Sequence, residues 1–369
     1  MKLAFVAFKY FPHGGMQNNL LRMARECAAR GHQVQVYTMS WRGERPEGVE
    51  VRLLPQEAAT NHARYRAFHR ALRRALETAG IDRVVGFNRL PGLDFYYAAD
   101  PCLRERLSRQ YRFSVAWLPR YRQFLAWEAA VFGRESRTRI LLVSARQKAA
   151  FQRHYGTPDE RFFELPPGIQ PDRKAGPDAD RLRAEARREF GIGEEEHWVL
   201  CIGSGFRTKG LDRSLKALAA LPEPLRRRTR LLALGTDKAA PFERLARRLG
   251  VADRLRILPG RDDIPRILQG GDLLLHPAYH ENTGNILLEA AIAGLPVLTT
   301  SVCGYAPYIE EAQCGLVLPE PFSQAGLNQA LAEMLVSPER ARWRANGIRF
   351  GEEADIYGRI PHAVEYILS

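Results

Sequence analysis

At 369 residues, 45% of them hydrophobic and 26% charged, the chain has the composition of a folded protein with room for two cores, not of a disordered or fibrous one. Fifty-five basic against 42 acidic residues leave a net charge of +13; only seven of the cations are lysines, an arginine bias that partly reflects base composition, and the remaining excess points to an anionic ligand or surface. The five cysteines (27, 102, 201, 303 and 314) form no CxxC pair or His/Cys cluster, and no apolar run approaches the ~18 residues of a membrane span. This excludes a disulfide scaffold and a transmembrane anchor, and predicts reduced thiols in a cytoplasmic protein without a signal sequence.

Strand and helix patterns then alternate along the chain. Leu3–Ala7 reads as a buried strand, followed by Pro12-His13-Gly14-Gly15 and a helix from about Met16 to Arg30 that stops at Gly31. Val34–Thr38 and Val51–Leu54 are strands and Arg64–Ala79 an amphipathic helix. Further strands are expected at Arg83–Phe87, Tyr96–Ala99 (ending at Asp100), Ile140–Val143 and Phe162–Leu165, with a helix over Ala145–Tyr155. Pro166-Pro167-Gly168-Ile169 and the polar stretch to Asp180 break the pattern and place an interdomain linker. A second series begins at Trp198–Ile202, with the turn Gly203–Gly210 and a helix from Leu211. It continues through strand Leu231–Leu234, helix Pro241–Leu249 and strands Leu255–Leu258 and Leu273–Leu275, then helix Asn285–Ala293 and strand Pro296–Thr299, with helices finishing the chain. The expected fold class is α/β, two doubly wound Rossmann-like domains facing across a cleft, with ligands at strand C-termini. The expected domains are 1–168 and 169–349, with the C-terminal helix, about 350–369, crossing back onto the first.

Four features fall at those strand ends. Gly14-Gly15 precedes a helix and lets a ligand approach backbone N–H groups, or is a steric turn. The Gly203–Gly210 turn carries Arg207 and Lys209 and suits a diphosphate; with Thr208 at the sixth position it fails the dinucleotide fingerprint. Gly260-Arg261-Asp262-Asp263 is a candidate base-binding loop. Glu281-Asn282-Thr283-Gly284-Asn285 leads into a helix in which Glu289 sits one turn in, so that two acids flank an anion-binding helix N-terminus. The alternative is a helix cap with a surface glutamate.

Residues 103–134 hold seven arginines, Arg104, Arg106, Arg109, Arg112, Arg120, Arg122 and Arg134, against Glu105 and Glu128, interleaved with Tyr111, Phe113, Trp117, Tyr121, Phe124, Trp127 and Phe132. That mixture fits an anionic membrane surface, with Trp117 and Trp127 among the contacts. It also fits nucleic acid, or an amphipathic helix pair packed on the sheet with Arg stems covering it. The membrane reading is favoured.

Lys9-Tyr10-Phe11-Pro12, Gly14-Gly15, Ala29-Arg30-Gly31-His32, Asp82–Asn88, Pro91-Gly92-Leu93-Asp94, Pro166–Ile169, Pro171-Asp172-Arg173, Leu273–Tyr279, Leu288-Glu289-Ala290 and Gly294–Thr300 together are more specific. They resemble the WaaG/RfaG family of lipopolysaccharide core glycosyltransferases (glucosyltransferase I), in glycosyltransferase family 4 with the GT-B fold. The resemblance implies a retaining transfer of a hexose from a UDP-sugar to an inner-core heptose of lipopolysaccharide, by a cytoplasmic enzyme peripheral on the inner membrane. It implies no metal and no cofactor, the UDP-sugar being a substrate, and no nucleic-acid partner. Carried over by position, Glu289 binds the ribose hydroxyls, Arg173 and Lys209 the phosphates, and Glu281 lies beside the donor sugar. Gly15 brings backbone N–H groups near the diphosphate, and Asp100 is a candidate acceptor contact.

Two departures bear on specificity. Enteric members of the family carry Arg immediately before the equivalent of Lys209, where this chain has Thr208 with Arg207 one residue earlier. They carry Ala-Ala-Gly-Ile after the first glutamate, where this chain has Asn282, Thr283, Gly284 and Asn285. Amides pair with an acetamido group or an axial hydroxyl as an apolar wall does not. UDP-N-acetylgalactosamine and UDP-galactose are therefore expected to compete with UDP-glucose. The alternatives are a GT-B transferase for another lipid-linked glycan, a nucleic-acid-binding protein and an NAD(P)-dependent enzyme.

Overall fold

The structure, a computed structural model, describes residues 1–12, 14–110 and 117–369, with the backbone alone at 109 and 110. Arg112, Tyr111 and Phe113, and the side chain of Arg109, lie outside the described residues. The chain divides into two units, Met1–Pro167 with Gly358–Ser369, and Gly168–Tyr357.

In the first unit, β1 (Lys2–Val6) leads to α1 (Gly15–Ala29), β2 (Gln33–Thr38), β3 (Val49–Leu53), α2 (Asn61–Glu77), β4 (Arg83–Gly86) and β5 (Phe95–Ala98). Two further helices, α3 (Leu103–Gln110) and α4 (Pro119–Phe132), precede β6 (Arg139–Leu142), α5 (Lys148–Tyr155) and β7 (Phe162–Glu164). The strands form one parallel sheet in the order β3-β2-β1-β4-β5-β6-β7. Leu3, Ala4, Phe5 and Val6 are fully buried because helices cover both faces of β1, which is why the strand reads as an unbroken apolar run. The edge strand β3 is mostly exposed and carries Glu50 and Arg52.

In the second unit, α6 (Ala179–Phe190) precedes β8 (His197–Ile202), α7 (Leu211–Ala220), α8 (Glu223–Arg227), β9 (Thr229–Leu234), α9 (Ala240–Arg248), β10 (Leu255–Leu258) and α10 (Ile264–Gly270). Then come β11 (Leu273–His276), α11 (Asn285–Ile292), β12 (Val297–Thr300), α12 (Ala306–Glu311), β13 (Gly315–Leu318), α13 (Gln324–Val336) and α14 (Arg340–Glu353). This sheet is also parallel, in the order β10-β9-β8-β11-β12-β13. Each order reverses direction once, between β1 and β4 and between β8 and β11, the places where open parallel sheets take their ligands. The expected α/β class with two doubly wound units is the observed one.

The last helix, α15 (Arg359–Leu368), packs on α1, and its Ile360, Ala363, Val364 and Ile367 complete the core of the first unit. The crossing back begins at Gly358, later than the expected 350. The reason is α14, whose Gly347 lies so close to α11 that a Cβ there would stand 2.3 Å from the Ala291 carbonyl oxygen, holding the chain on the second unit through Phe350 and Ile356.

Residues 103–134 fold in part as the docked helix pair that the sequence left as an alternative. Glu128 is fully buried in α4 and accepts hydrogen bonds from the backbone N–H groups of Leu103 (2.7 Å) and Arg104 (3.0 Å), capping α3, while Arg89 Nη1 pairs with it at 2.9 Å. Trp127 corrects an expectation. It is 8% exposed, with its ring 6.4 Å from Phe8, 5.7 Å from His69 and 6.3 Å from Phe124, so it anchors α4 to the core and does not contact lipid. Trp117 is 81% exposed, and Arg104, Arg106, Arg120 and Arg122 are exposed as well. No helix among the described residues is long and apolar enough to cross a membrane.

Candidate active site

The second unit brings four charged groups to the C-terminal ends of β8 and β11. The turn after β8 needs glycine at 203, 205 and 210, where φ is +130, +84 and +79. Gly210 has a second reason: a Cβ there would stand 2.0 Å from the Pro277 carbonyl oxygen. The turn therefore lies directly on the segment that follows β11, and Tyr279 N–H donates to the Thr208 carbonyl at 2.8 Å. This contact delivers Lys209 to Glu281, and the ammonium and carboxylate form an ion pair in a site where the two side chains are 25% and 13% exposed. Burial holds the Lys209 ammonium below the ordinary lysine range.

Glu281 is fixed at its backbone by a bridge to Cys303, beyond the end of β12. Gly284, at φ +96, then turns the chain into α11, which begins at Asn285 as the sequence reading expects. Glu289, one turn in, faces Arg173, which stands on the short 3-10 turn Pro171–Arg173; Nε and Oε2 are 3.9 Å apart. Burial raises the Glu289 carboxyl above its ordinary value, and the Arg173 charge opposes that shift. Arg173 Nε and Nη1 are buried and make no hydrogen bond among the described residues, so the guanidinium keeps two donors for an incoming acceptor. Asn285 Oδ1 is likewise buried without a hydrogen-bond partner there. Asn282 and Thr283 lie in the same turn, and the Thr283 carbonyl accepts from Tyr305 N–H at 2.8 Å.

Two predicted cations do not join this group. Arg207 is exposed, with no ion pair or hydrogen bond to these groups among the described residues. Arg261, beyond the end of edge strand β10, is held by Asp263 at 2.7 Å and Glu189 at 3.2 Å and stacks over Phe190. Its guanidinium is engaged by these two carboxylates. His276, read only as a strand residue, belongs to the site instead. It closes β11, is 1% exposed, and places Nε2 3.6 Å from Glu281 Oε2 without a hydrogen bond. Burial and then the Lys209 charge push its pKa down to about 3, so it is a neutral imidazole at physiological pH. A histidine ending an apolar strand five residues before an acid was the available signal.

The first unit presents the other predicted residues. Gly15 is the first residue of α1, and a Cβ there meets no described atom of its own unit within 4 Å, so internal packing does not require glycine at this position. Gly14 is different, since a Cβ there would collide with the Gln17 and Phe11 side chains. Asp100 follows β5 and is exposed at the rim of a cavity of about 230 Å³. Among the described residues no group of three or more His, Cys, Asp or Glu side chains is arranged to hold a metal ion.

The pattern of the family described as Glycosyltransferase Family 4 matches residues 13–173, and that of Glycosyl transferases group 1 matches residues 183–350. The lipopolysaccharide glucosyltransferase WaaG of Escherichia coli (strain K12) is 45% identical over 368 residues, covering 100% of this chain and 98% of that protein. This chain belongs to the WaaG family of glycosyltransferases. The crystal structure of WaaG, a glycosyltransferase involved in lipopolysaccharide biosynthesis, superposes with a TM-score of 0.92 at 44% identity over 99% of both chains, which establishes the GT-B fold. Anabaena Alr3699/HepE in complex with UDP and glucose shares the fold at a TM-score of 0.76 and 17% identity, covering 100% of this chain and 99% of that one.

Proposed function

We propose that the chain is a retaining, UDP-sugar-dependent hexosyltransferase acting on an inner-core heptose of lipopolysaccharide. The observation that carries the reading is the half-buried group Lys209, Glu281, Arg173 and Glu289, gathered at the switch point of the second sheet beside the N-terminus of α11. Such a group offers what a nucleotide sugar needs: cations and a helix N-terminus for the diphosphate, and carboxylates for hydroxyls. In this reading Arg173 and Lys209 take the phosphates and stabilise the leaving UDP without a metal. Glu289 accepts from the ribose hydroxyls, and Glu281 lies beside the sugar. Gly15 offers the backbone N–H groups of the α1 N-terminus to an anion, and Asp100 contacts the acceptor. WaaG is named a lipopolysaccharide glucosyltransferase, which supports the acceptor class. The exposed Arg104, Arg106, Arg120, Arg122 and Trp117 support peripheral binding to anionic lipid on the cytoplasmic face of the inner membrane.

Asn282, Thr283 and Asn285 carry the donor preference. A site built to hydrogen-bond a group rejects an analogue lacking it by up to ~10⁴-fold, because its own polar atoms are left unpaired. The buried, unpaired Asn285 Oδ1 is such an atom. UDP-N-acetylgalactosamine, with UDP-galactose close behind, is expected to match or exceed UDP-glucose. Mass-spectrometric turnover with a panel of UDP-sugars and core acceptors tests this. At least ~10-fold faster turnover with UDP-glucose than with every acetamido or galacto donor would defeat the donor assignment. Transfer to other lipid-linked glycans but not to core heptose would favour the alternative acceptor class.

A further inference from the structure

The cavity beside Asp100 lies wholly within the first unit. Phe8 follows β1, Asn88 and Arg89 follow β4, Asp100 and Pro101 follow β5, and α3 and α4 supply Leu103, Arg106, Arg120, Tyr121 and Phe124. It therefore opens where the strand order of this sheet reverses. Its roughly 230 Å³ has room for one sugar ring with a small substituent. Asn88 and Asp100 offer hydrogen-bonding groups for hydroxyls, and Phe8, Tyr121 and Phe124 offer aromatic surface for a sugar's C–H face.

The charge of this cavity is unbalanced. Glu128 is already taken by Arg89 at 2.9 Å, and Glu105 by His154 at 2.5 Å and Arg153 at 3.3 Å. Arg106 and Arg120 have no acidic partner among the described residues; Arg120 only stacks loosely over Tyr121, at 5.7 Å. Two guanidinium groups thus line the same cavity with their charge unspent, beside a single carboxylate, Asp100.

We propose that this cavity is an acceptor subsite for a sugar bearing an anionic substituent, a phosphate or a carboxylate. Arg106 and Arg120 pair with the anion while Asn88 and Asp100 take hydroxyls. The inference rests on the glycosyltransferase reading above and adds the charge of the accepted sugar. It also divides the arginine-rich segment. Arg106 and Arg120 serve the acceptor, whereas Arg104 and Arg122 do not line the cavity and remain on the surface.

The test uses the full chain, Arg106→Gln/Arg120→Gln, and Arg70→Gln/Arg73→Gln on the exposed face of α2 as a charge-matched control. Binding of heptose phosphate and of neutral methyl heptoside is measured by saturation-transfer NMR without lipid, with UDP calorimetry reporting the fold. The first variant is expected to weaken heptose phosphate by ~10-fold or more, as for lost charged hydrogen bonds. Methyl heptoside and UDP should bind as in the wild type, and the control should keep heptose phosphate affinity. Co-sedimentation with phosphatidylglycerol vesicles separates a lipid headgroup from a glycan anion. A variant that loses vesicles but keeps the wild-type preference for heptose phosphate overturns the proposal, as does a wild type with no preference between the two sugars. Turnover with a UDP-sugar is scored separately. A wild type that binds heptose phosphate through these arginines but transfers nothing to heptose contradicts the acceptor reading and leaves the anion subsite standing.

Discussion

The two units hold most of their candidate charged groups differently. In the second, the four candidate groups at the sheet's switch point are half-buried and set against one another: Lys209 with Glu281, and Arg173 near Glu289. In the first, Arg104, Arg106, Arg120, Arg122 and Asp100 stand exposed at the surface or the rim of a cavity. Half-buried groups hold one another in position before a ligand arrives, and removing one leaves its partner partly desolvated and unpaired. Exposed groups cost little to keep and little to lose, and their effect is collective and screened by salt.

The largest test of that contrast is the pair of tryptophans inside one segment. Trp127→Ala should lower stability by about 3–5 kcal/mol, the cost of emptying an aromatic site, without weakening vesicle binding of the folded protein. Trp117→Ala should leave stability within about 0.5 kcal/mol and reduce vesicle binding. Denaturant titration and co-sedimentation read both, and a reversed pattern would break the comparison. Next, Glu289→Ala should weaken UDP by about 1.5–3 kcal/mol, since a charged acceptor of hydrogen bonds is lost and Arg173 is left without it. Unchanged UDP affinity in calorimetry would remove Glu289 from the nucleotide site.

His276 sharpens the contrast through pH. Its folded pKa of about 3 lies below the ordinary 6.5, so unfolding takes up a proton anywhere between those values. Its contribution to stability is complete above the window and is lost as pH falls through it. His276→Gln should flatten the acid side of the stability curve; a curve parallel to the wild type would show that this imidazole does not titrate on unfolding. The smallest effect is expected at the surface. Arg104→Gln/Arg122→Gln should cost about 1 kcal/mol per residue in binding to anionic vesicles, vanishing at high salt, and leave UDP binding untouched. Equal binding to neutral and anionic vesicles by the wild type would remove the membrane surface from the first unit.

Much of the fold was legible because parallel strands covered on both faces are continuous apolar runs, as at Leu3–Val6 and Leu273–Leu275, separated by glycine turns. The start of α11 at Asn285 was legible because Gly284 must take a positive φ there. Strand β13 was not: Gly315–Leu318 is four residues long and half-exposed at the sheet edge. Helix α6 was hidden by its charge, since Asp180, Arg181, Arg183, Glu185, Arg187 and Arg188 make it resemble the linker before it. Two of those arginines are structural. Arg183 and Arg187 hold the buried Asp272 at 2.6 and 2.9 Å, beneath β11. Within the candidate site, residue types and strand ends could be read from spacing, but partners could not. Lys209 meets Glu281 only because β8 and β11 are neighbours in the sheet, and the arginine count around Glu128 did not reveal that this acid lies inside.

The return of α15 to the first unit has a consequence for how the chain is made. Synthesis runs from the N-terminus, and domains generally fold as their residues emerge. Here the core around β1 and α1 stays open on one side until Ile360, Ala363, Val364 and Ile367 have been added. The second unit, complete at Tyr357, has all its residues first. The half of the protein translated first is thus sealed after the second, and a chain interrupted before Gly358 carries an exposed seam.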